Sequence, residues 1–154
     1  MEKKLDKKGK LLLSVFKFGK KHVNKAGIYH KVCFAFYKIM NFVIGIIIFG
    51  SELQPSQTIS GNIFLYHPYG IIINSASQIS DGCVIRQQVT IGNKGIGNND
   101  CPIIKENVEI GAGAKIIGAI TIGKNSKIGA NAVVTKSFPE NSILVGVPAK
   151  NIAK

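Results

Sequence analysis

A chain of 154 residues with 45% hydrophobic side chains carries enough apolar material for one packed domain, which excludes a disordered chain. The net charge of +12 points to nucleic acid only until it is located: residues 1–50 hold eleven lysines against Glu2 and Asp6, while residues 51–154 hold nine basic against six acidic residues. A single arginine, Arg86, excludes a reader of base edges, where bidentate arginine is the usual tool, so no nucleic-acid partner is expected.

Residues 1–50 form a basic, partly apolar segment predicted to be helical, with Leu11, Leu12, Val15 and Phe16 set between lysines. Its apolar end, Phe42 to Phe49, is uninterrupted for only eight residues. A spanning helix needs about 20, so a transmembrane role is not expected. Packing on the main domain or on a neighbouring subunit is the simpler expectation, with contact to an anionic membrane as the alternative. The coil stack that follows is expected to need this arm little. Cys33, Cys83 and Cys101 form no CxxC pair and no secretory signal is visible, which predicts reduced thiols in the cytoplasm, or peripherally at the inner face of its membrane. His22, His30 and His67 lack metal-ligand spacing with them, so no metal is expected, and His22 and His30 are expected at the surface.

One period governs the remainder. Ile104, Ile110, Ile116, Ile122, Ile128 and Val134 recur every six residues, as do Ile73, Ile79, Ile85 and Ile91, and Ile59 with Leu65. Four residues after many of them stands a small side chain: Ser77, Cys83, Ala114, Ser126 and Ala132. Six is no helical period; it describes one short strand and one corner, repeated and stacked so that the aliphatic rows share a core. The register breaks twice. Leu65 to Ile73 is eight residues, and Ile91 to Ile104 is thirteen, read as twelve plus one through a polar, glycine-rich loop over residues 92–102.

This pattern resembles the hexapeptide-repeat proteins, which implies an all-β fold: a left-handed parallel β-helix of three hexapeptides per coil, here with a short N-terminal helical segment. Leu65-Tyr66-His67-Pro68-Tyr69-Gly70, the loop ending Asp100-Cys101-Pro102, Ile110-Gly111-Ala112-Gly113-Ala114-Lys115 and Gly146-Val147-Pro148-Ala149-Lys150 occur in an order that resembles the serine O-acetyltransferase-like branch. That branch includes capsule and exopolysaccharide acetyltransferases. The resemblance implies three parts: the helical arm 1–50, a β-helix acetyltransferase domain 51–140, and a tail 141–154 that completes a coenzyme A site.

The implied chemistry is direct acetyl transfer from acetyl-CoA, without a metal, to a hydroxyl. His67 stands at the family's general base, and Glu52, fifteen residues earlier, at the carboxylate that orients it. Tyr66, Asp100 and Cys101 occupy substrate-binding positions where the serine enzymes carry aspartate, arginine and a second histidine. Losing those charges points away from serine and toward a sugar hydroxyl on a polysaccharide, oligosaccharide or nucleotide sugar. A serine acetyltransferase of cysteine biosynthesis is the alternative, and a non-catalytic scaffold the third reading. Ala112 and Ala130, one coil apart, with Asn93 expected above them, imply a groove of small residues for the pantetheine arm. Thr135, Lys136 and Lys150 match family positions near the adenine and phosphates. The family also implies a homotrimer with sites between subunits.

Overall fold

The computed structural model describes residues 6–153. Helix α1 (Lys7–His22) is followed by α2 (Ile28–Met40), which runs on into a π-helical stretch, Asn41–Ile48. Short strands follow: β1 (Glu52–Leu53), β2 (Phe64–Tyr66), β3 (Ile72–Ile73), β4 (Gln78–Ile79), β5 (Val84–Arg86), β6 (Thr90–Gly92) and β7 (Ile103–Ile104). Then come β8 (Glu109–Ile110), β9 (Lys115–Ile117), β10 (Thr121–Ile122), β11 (Lys127–Ile128), β12 (Val133–Val134), β13 (Ile143–Val145) and β14 (Lys150–Asn151).

Three sheets result. The first face is β1-β3-β6-β9-β12, the second β4-β7-β10, and the third β2-β5-β8-β11-β13 with β14 on its end. Every pairing between these strands is parallel except β13 with β14. A chain that visits three faces in turn and returns beside its own earlier strand is a three-sided parallel β-solenoid. The six-residue rows are its interior. Leu53, Ile73, Ile91, Ile116 and Val134 stack on the first face, and Leu65, Ile85, Ile110, Ile128 and Leu144 on the third, all buried. The small residues Ser77, Cys83, Ala114, Ser126 and Ala132 are fully buried at the corners. There the chain turns through left-handed backbone, which asparagine tolerates better than most side chains, at Asn107, Asn125, Asn131 and Asn141.

The coil step measures both insertions. Ile104 to Ile122 is the regular 18, whereas Ile79 to Ile104, Ile85 to Ile110 and Ile91 to Ile116 each span 25. The second break is therefore one hexad plus seven looped-out residues, not two hexads plus one. This corrects the position of Asn93. The residue one coil from Ala112 is Gln87, whose carbonyl accepts from the Gly113 amide at 2.9 Å, just as the Ala112 carbonyl accepts from Asn131 at 2.8 Å. Asn93 instead follows β6 at the edge between the first and second faces.

The arm is no loose appendage. Leu12, Leu13 and Phe16 belong to the same buried cluster as Leu53, Ile59 and Leu65, so α1 forms a lid over the first coil. A Cβ at Gly9 would overlap the Leu65 carbonyl oxygen, and only glycine lets the helix come this close. The expectation that the coil stack needs the arm little is thus overturned, because a solenoid end without a cap exposes its core. His22 is buried too, against expectation, with its Nδ1 2.9 Å from that of His30. Burial first, then His30, Lys21 and Lys25, push its pKa down.

Together α2 and its π-helical continuation make one 21-residue helix, Ile28–Ile48, long and apolar enough to cross a membrane by length and composition. The eight-residue count from sequence missed this because Lys31 and Lys38 interrupt the run without ending the helix. Tyr37 faces inward, while Ile28, Val32, Phe36, Ile39, Val43 and Ile46 form an exposed stripe.

Phe16→Ala is expected to lower stability by about 3–5 kcal/mol, the usual cost of truncating a buried phenylalanine. A denaturant melt measures it, and an unchanged midpoint would mean that α1 does not cap the core.

Candidate active site

His67 lies at the edge where the third face passes into the first, inside the two-residue insertion that follows β2. Its φ is 52°, left-handed backbone that a histidine adopts only when the surroundings hold it there. The holders are identifiable. Ser51 Oγ donates to the Pro68 carbonyl at 2.8 Å and accepts from the Ile71 amide at 2.9 Å, and the Gly70 amide donates to the Phe49 carbonyl at 3.0 Å. Lys8 Nζ donates to the Tyr69 hydroxyl at 2.9 Å. The His67 amide donates to Asp6 Oδ2 at 3.0 Å, and its Nδ1 is 4.0 Å from the same oxygen. The imidazole itself is 65% exposed, free to meet a ligand along the edge.

The His67 amide is the main reason that Asp6 ionises below its ordinary value, against the opposing effect of its burial. Lys8 is held above its usual range by the Tyr69 hydroxyl.

The sequence-predicted residues divide among three places. Tyr66 ends β2, immediately before His67. Glu52 is not the carboxylate that His67 meets: it is exposed on β1, where it accepts from Gln54 Nε2 at 2.5 Å, and it shares a groove of about 460 Å³ along the first face with Asn93. Asp100 and Cys101 line a separate cavity of about 330 Å³ with Gln78 and Thr121, at the edge between the first and second faces. On one chain, therefore, Cys101 and His67 occupy different edges.

Ala112 and Ala130 do lie along the His67 edge, at the corners after β8 and β11. Neither is buried, and with Gln87 they make a column leading away from the imidazole. Thr135 and Lys136 are exposed just beyond β12, and Lys150 is exposed on β14. The tail returns to β12, for the Ala149 amide donates to the Val133 carbonyl at 2.8 Å. Among the described residues no group of three or more His, Cys, Asp or Glu side chains is placed to hold a metal ion.

Two residues escaped the sequence reading. Asp6 is 61 positions from His67, beyond any local pattern. Arg86 pairs with Tyr66 across adjacent coils and sets its guanidinium 5.6 Å from the Tyr66 ring centre. The signal for Arg86 was available: a coil step of 20 residues, 18 plus the two inserted, takes Tyr66 to it. An exposed imidazole, a carboxylate behind it and a cation one coil away can together deprotonate a hydroxyl on an acceptor that carries negative charge.

Comparison with known proteins follows the same lines. The family model described as bacterial transferase hexapeptide (six repeats) matches residues 101–136. The serine acetyltransferase of Mycobacterium tuberculosis is 38% identical over 109 residues, 70% of this chain and 48% of that protein. The putative colanic acid biosynthesis acetyltransferase WcaB of Escherichia coli K12 is 40% identical over 102 residues, 66% of this chain and 63% of that protein. The solved structure of serine acetyltransferase in complex with coenzyme A from Brucella abortus strain S19 matches with a TM-score of 0.79 at 32% identity, covering 96% of this chain and 56% of that one. The chain thus spans about half to two thirds of the length of these relatives.

Cys101→Ser is expected to keep most activity, since the hydroxyl fills nearly the same space beside Asp100 and transfer without an acetyl-enzyme asks no nucleophile of residue 101. Mass spectrometry after mixing the protein with acetyl-CoA alone checks this: an adduct of about 42 daltons on Cys101 would require an acetyl-enzyme.

Proposed function

The chain belongs to the hexapeptide-repeat acyltransferase superfamily, in its serine O-acetyltransferase-like branch, and on that premise we propose that it is an acetyl-CoA-dependent O-acetyltransferase. The observation that carries the reading is His67, its backbone amide held by Asp6 and its imidazole exposed, at the head of the edge that Gln87, Ala112 and Ala130 continue. In the proposed reaction His67 takes the acceptor hydroxyl proton as that oxygen attacks the acetyl carbonyl. The tetrahedral intermediate then expels the coenzyme A thiolate, which receives the proton back from His67. Backbone N–H groups are the proposed donors to the oxyanion, and Thr135, Lys136 and Lys150 the proposed contacts of the coenzyme's adenine and phosphate end. The left-handed winding, the homotrimer and the sites between subunits come from the family. A neighbouring chain would bring Asp100 and Cys101 to His67, from which they are separated on one chain.

For the acceptor, the relatives favour L-serine over the sugar hydroxyl expected from sequence, because serine acetyltransferases recur among them. Arg86 supports this, offering a serine carboxylate the cation that the loop lacks at Asp100. The sugar reading stays second, on the uncharged Tyr66 and Cys101 and on the likeness to the colanic acid protein. His67→Ala is expected to bind acetyl-CoA normally by calorimetry and to lose about two to four orders of magnitude in turnover. Thiol release with L-serine and with a sugar panel, run side by side, separates the acceptors. No acetyl-CoA binding at all would leave only a scaffold.

We also infer attachment to an anionic membrane surface, through the exposed stripe of α2 with Lys31 and Lys38 along it. A chain of charge +12, most of it in residues 1–50, is complementary to acidic lipid. Sedimentation with acidic vesicles, weakened by salt and abolished by Val32→Glu with Phe36→Glu, is the expected result. Vesicle-independent loss of an oligomer in that variant would assign the stripe to a second copy instead.

A further inference from the structure

Asp6 uses both carboxylate oxygens. Oδ1 accepts from the Lys8 amide at 3.2 Å and so caps α1, while Oδ2 takes the His67 amide at 3.0 Å and lies 4.0 Å from Nδ1 of the same residue. We infer that Asp6 is the positioning residue of His67, reaching the proposed base from the lid helix and holding it in its left-handed turn. This rests on the acetyltransferase reading above.

Three features of the structure support it. A helix cap needs one side-chain oxygen, and serine, asparagine and aspartate serve about equally well. The second oxygen, spent on a residue 61 positions away, is not explained by capping. Next, His67 follows the last residue of β2 that pairs in the coil, so its amide has left the ladder and finds its acceptor in Asp6. Finally, Asp6 sits on a rigid element. Gly9 abuts the Leu65 carbonyl, and Leu12, Leu13 and Phe16 anchor the helix in the core, so the carboxylate is fixed relative to the coil that bears the histidine. Lys8, on the same first turn, ties down Tyr69 two residues further on. When His67 carries the acceptor's proton, Asp6 faces it as the opposite charge of an ion pair.

Glu52 is the competing candidate by sequence, and the decisive set of variants is Asp6→Ser, Asp6→Asn, Glu52→Gln and His67→Ala in the full chain. Serine caps the helix but is too short to reach His67 as well; asparagine keeps the reach, but its single oxygen can accept from only one of the two amides while its NH2 group can only donate. Asp6→Ser is therefore expected to keep the wild-type melting temperature and KM for acetyl-CoA. Its kcat should fall about ten- to a hundred-fold, the scale of a slightly misplaced catalytic group. Asp6→Asn, with one acceptor for two amides, should recover only part of that loss. Hydrogen exchange of the His67 amide should be faster in Asp6→Ser than in wild type and intermediate in Asp6→Asn. Turnover is read with L-serine, or as acetyl-CoA hydrolysis with water as acceptor, and the exchange measurement needs neither. Wild-type kcat with unchanged His67 exchange in Asp6→Ser overturns the inference, and a loss confined to Glu52→Gln transfers the role to Glu52. If His67→Ala itself turns over normally, the acetyltransferase reading fails first, an outcome distinct from either.

Discussion

The stacking of aliphatic side chains in three inward rows is the interaction on which everything else depends. Each coil offers the interior one large residue per face and a small one per corner, so no coil has a core without its neighbours. The coil step is then fixed by the backbone pairing, and any surplus residue must leave the prism at a corner. Both surplus segments do. The two extra residues after β2 present His67, and the seven after β6 present Asp100 and Cys101. The proposed chemistry sits where the rows could not absorb the chain.

The same dependence explains why the arm is structural. A row of isoleucines ends somewhere, and its last member needs a partner that is not another coil. Helix α1 supplies Leu12, Leu13 and Phe16 at that point and comes close enough only because residue 9 has no side chain. Once a helix is fixed against the first coil, its N-terminal cap is fixed too, and Asp6 meets the turn bearing His67 as a consequence of core packing.

How much of this was legible in the sequence follows from what a period can encode. The inward rows were readable because a buried position tolerates little but aliphatic side chains, and every predicted row residue from Ile59 to Val134 is buried. The size of the loop was not, because thirteen is both twelve plus one and six plus seven, and hexad phase cannot tell them apart. That ambiguity misplaced Asn93 while leaving Ala112 and Ala130 on one column. His67 announced itself by sitting at a break, but its carboxylate partner did not: Glu52 had the spacing, whereas Asp6 has the contact, made through a helix whose docking is tertiary. Arg86 was hidden in plain view, since its relation to Tyr66 appears only when the step is counted as 20.

The far end of the solenoid is closed differently, and this bears on how the protein behaves at high concentration. β14 runs antiparallel along β13, the tail bonds Gly146 and Ala149 to Val133, and Phe138 bridges Ile122, so each face of the last coil has its backbone engaged. With a helix over one end and a reversed strand on the other, neither end offers an open parallel edge of matching register. Parallel coils of identical repeats would otherwise template one another end to end without limit. Unlike caps of this kind disfavour end-to-end growth of the stack.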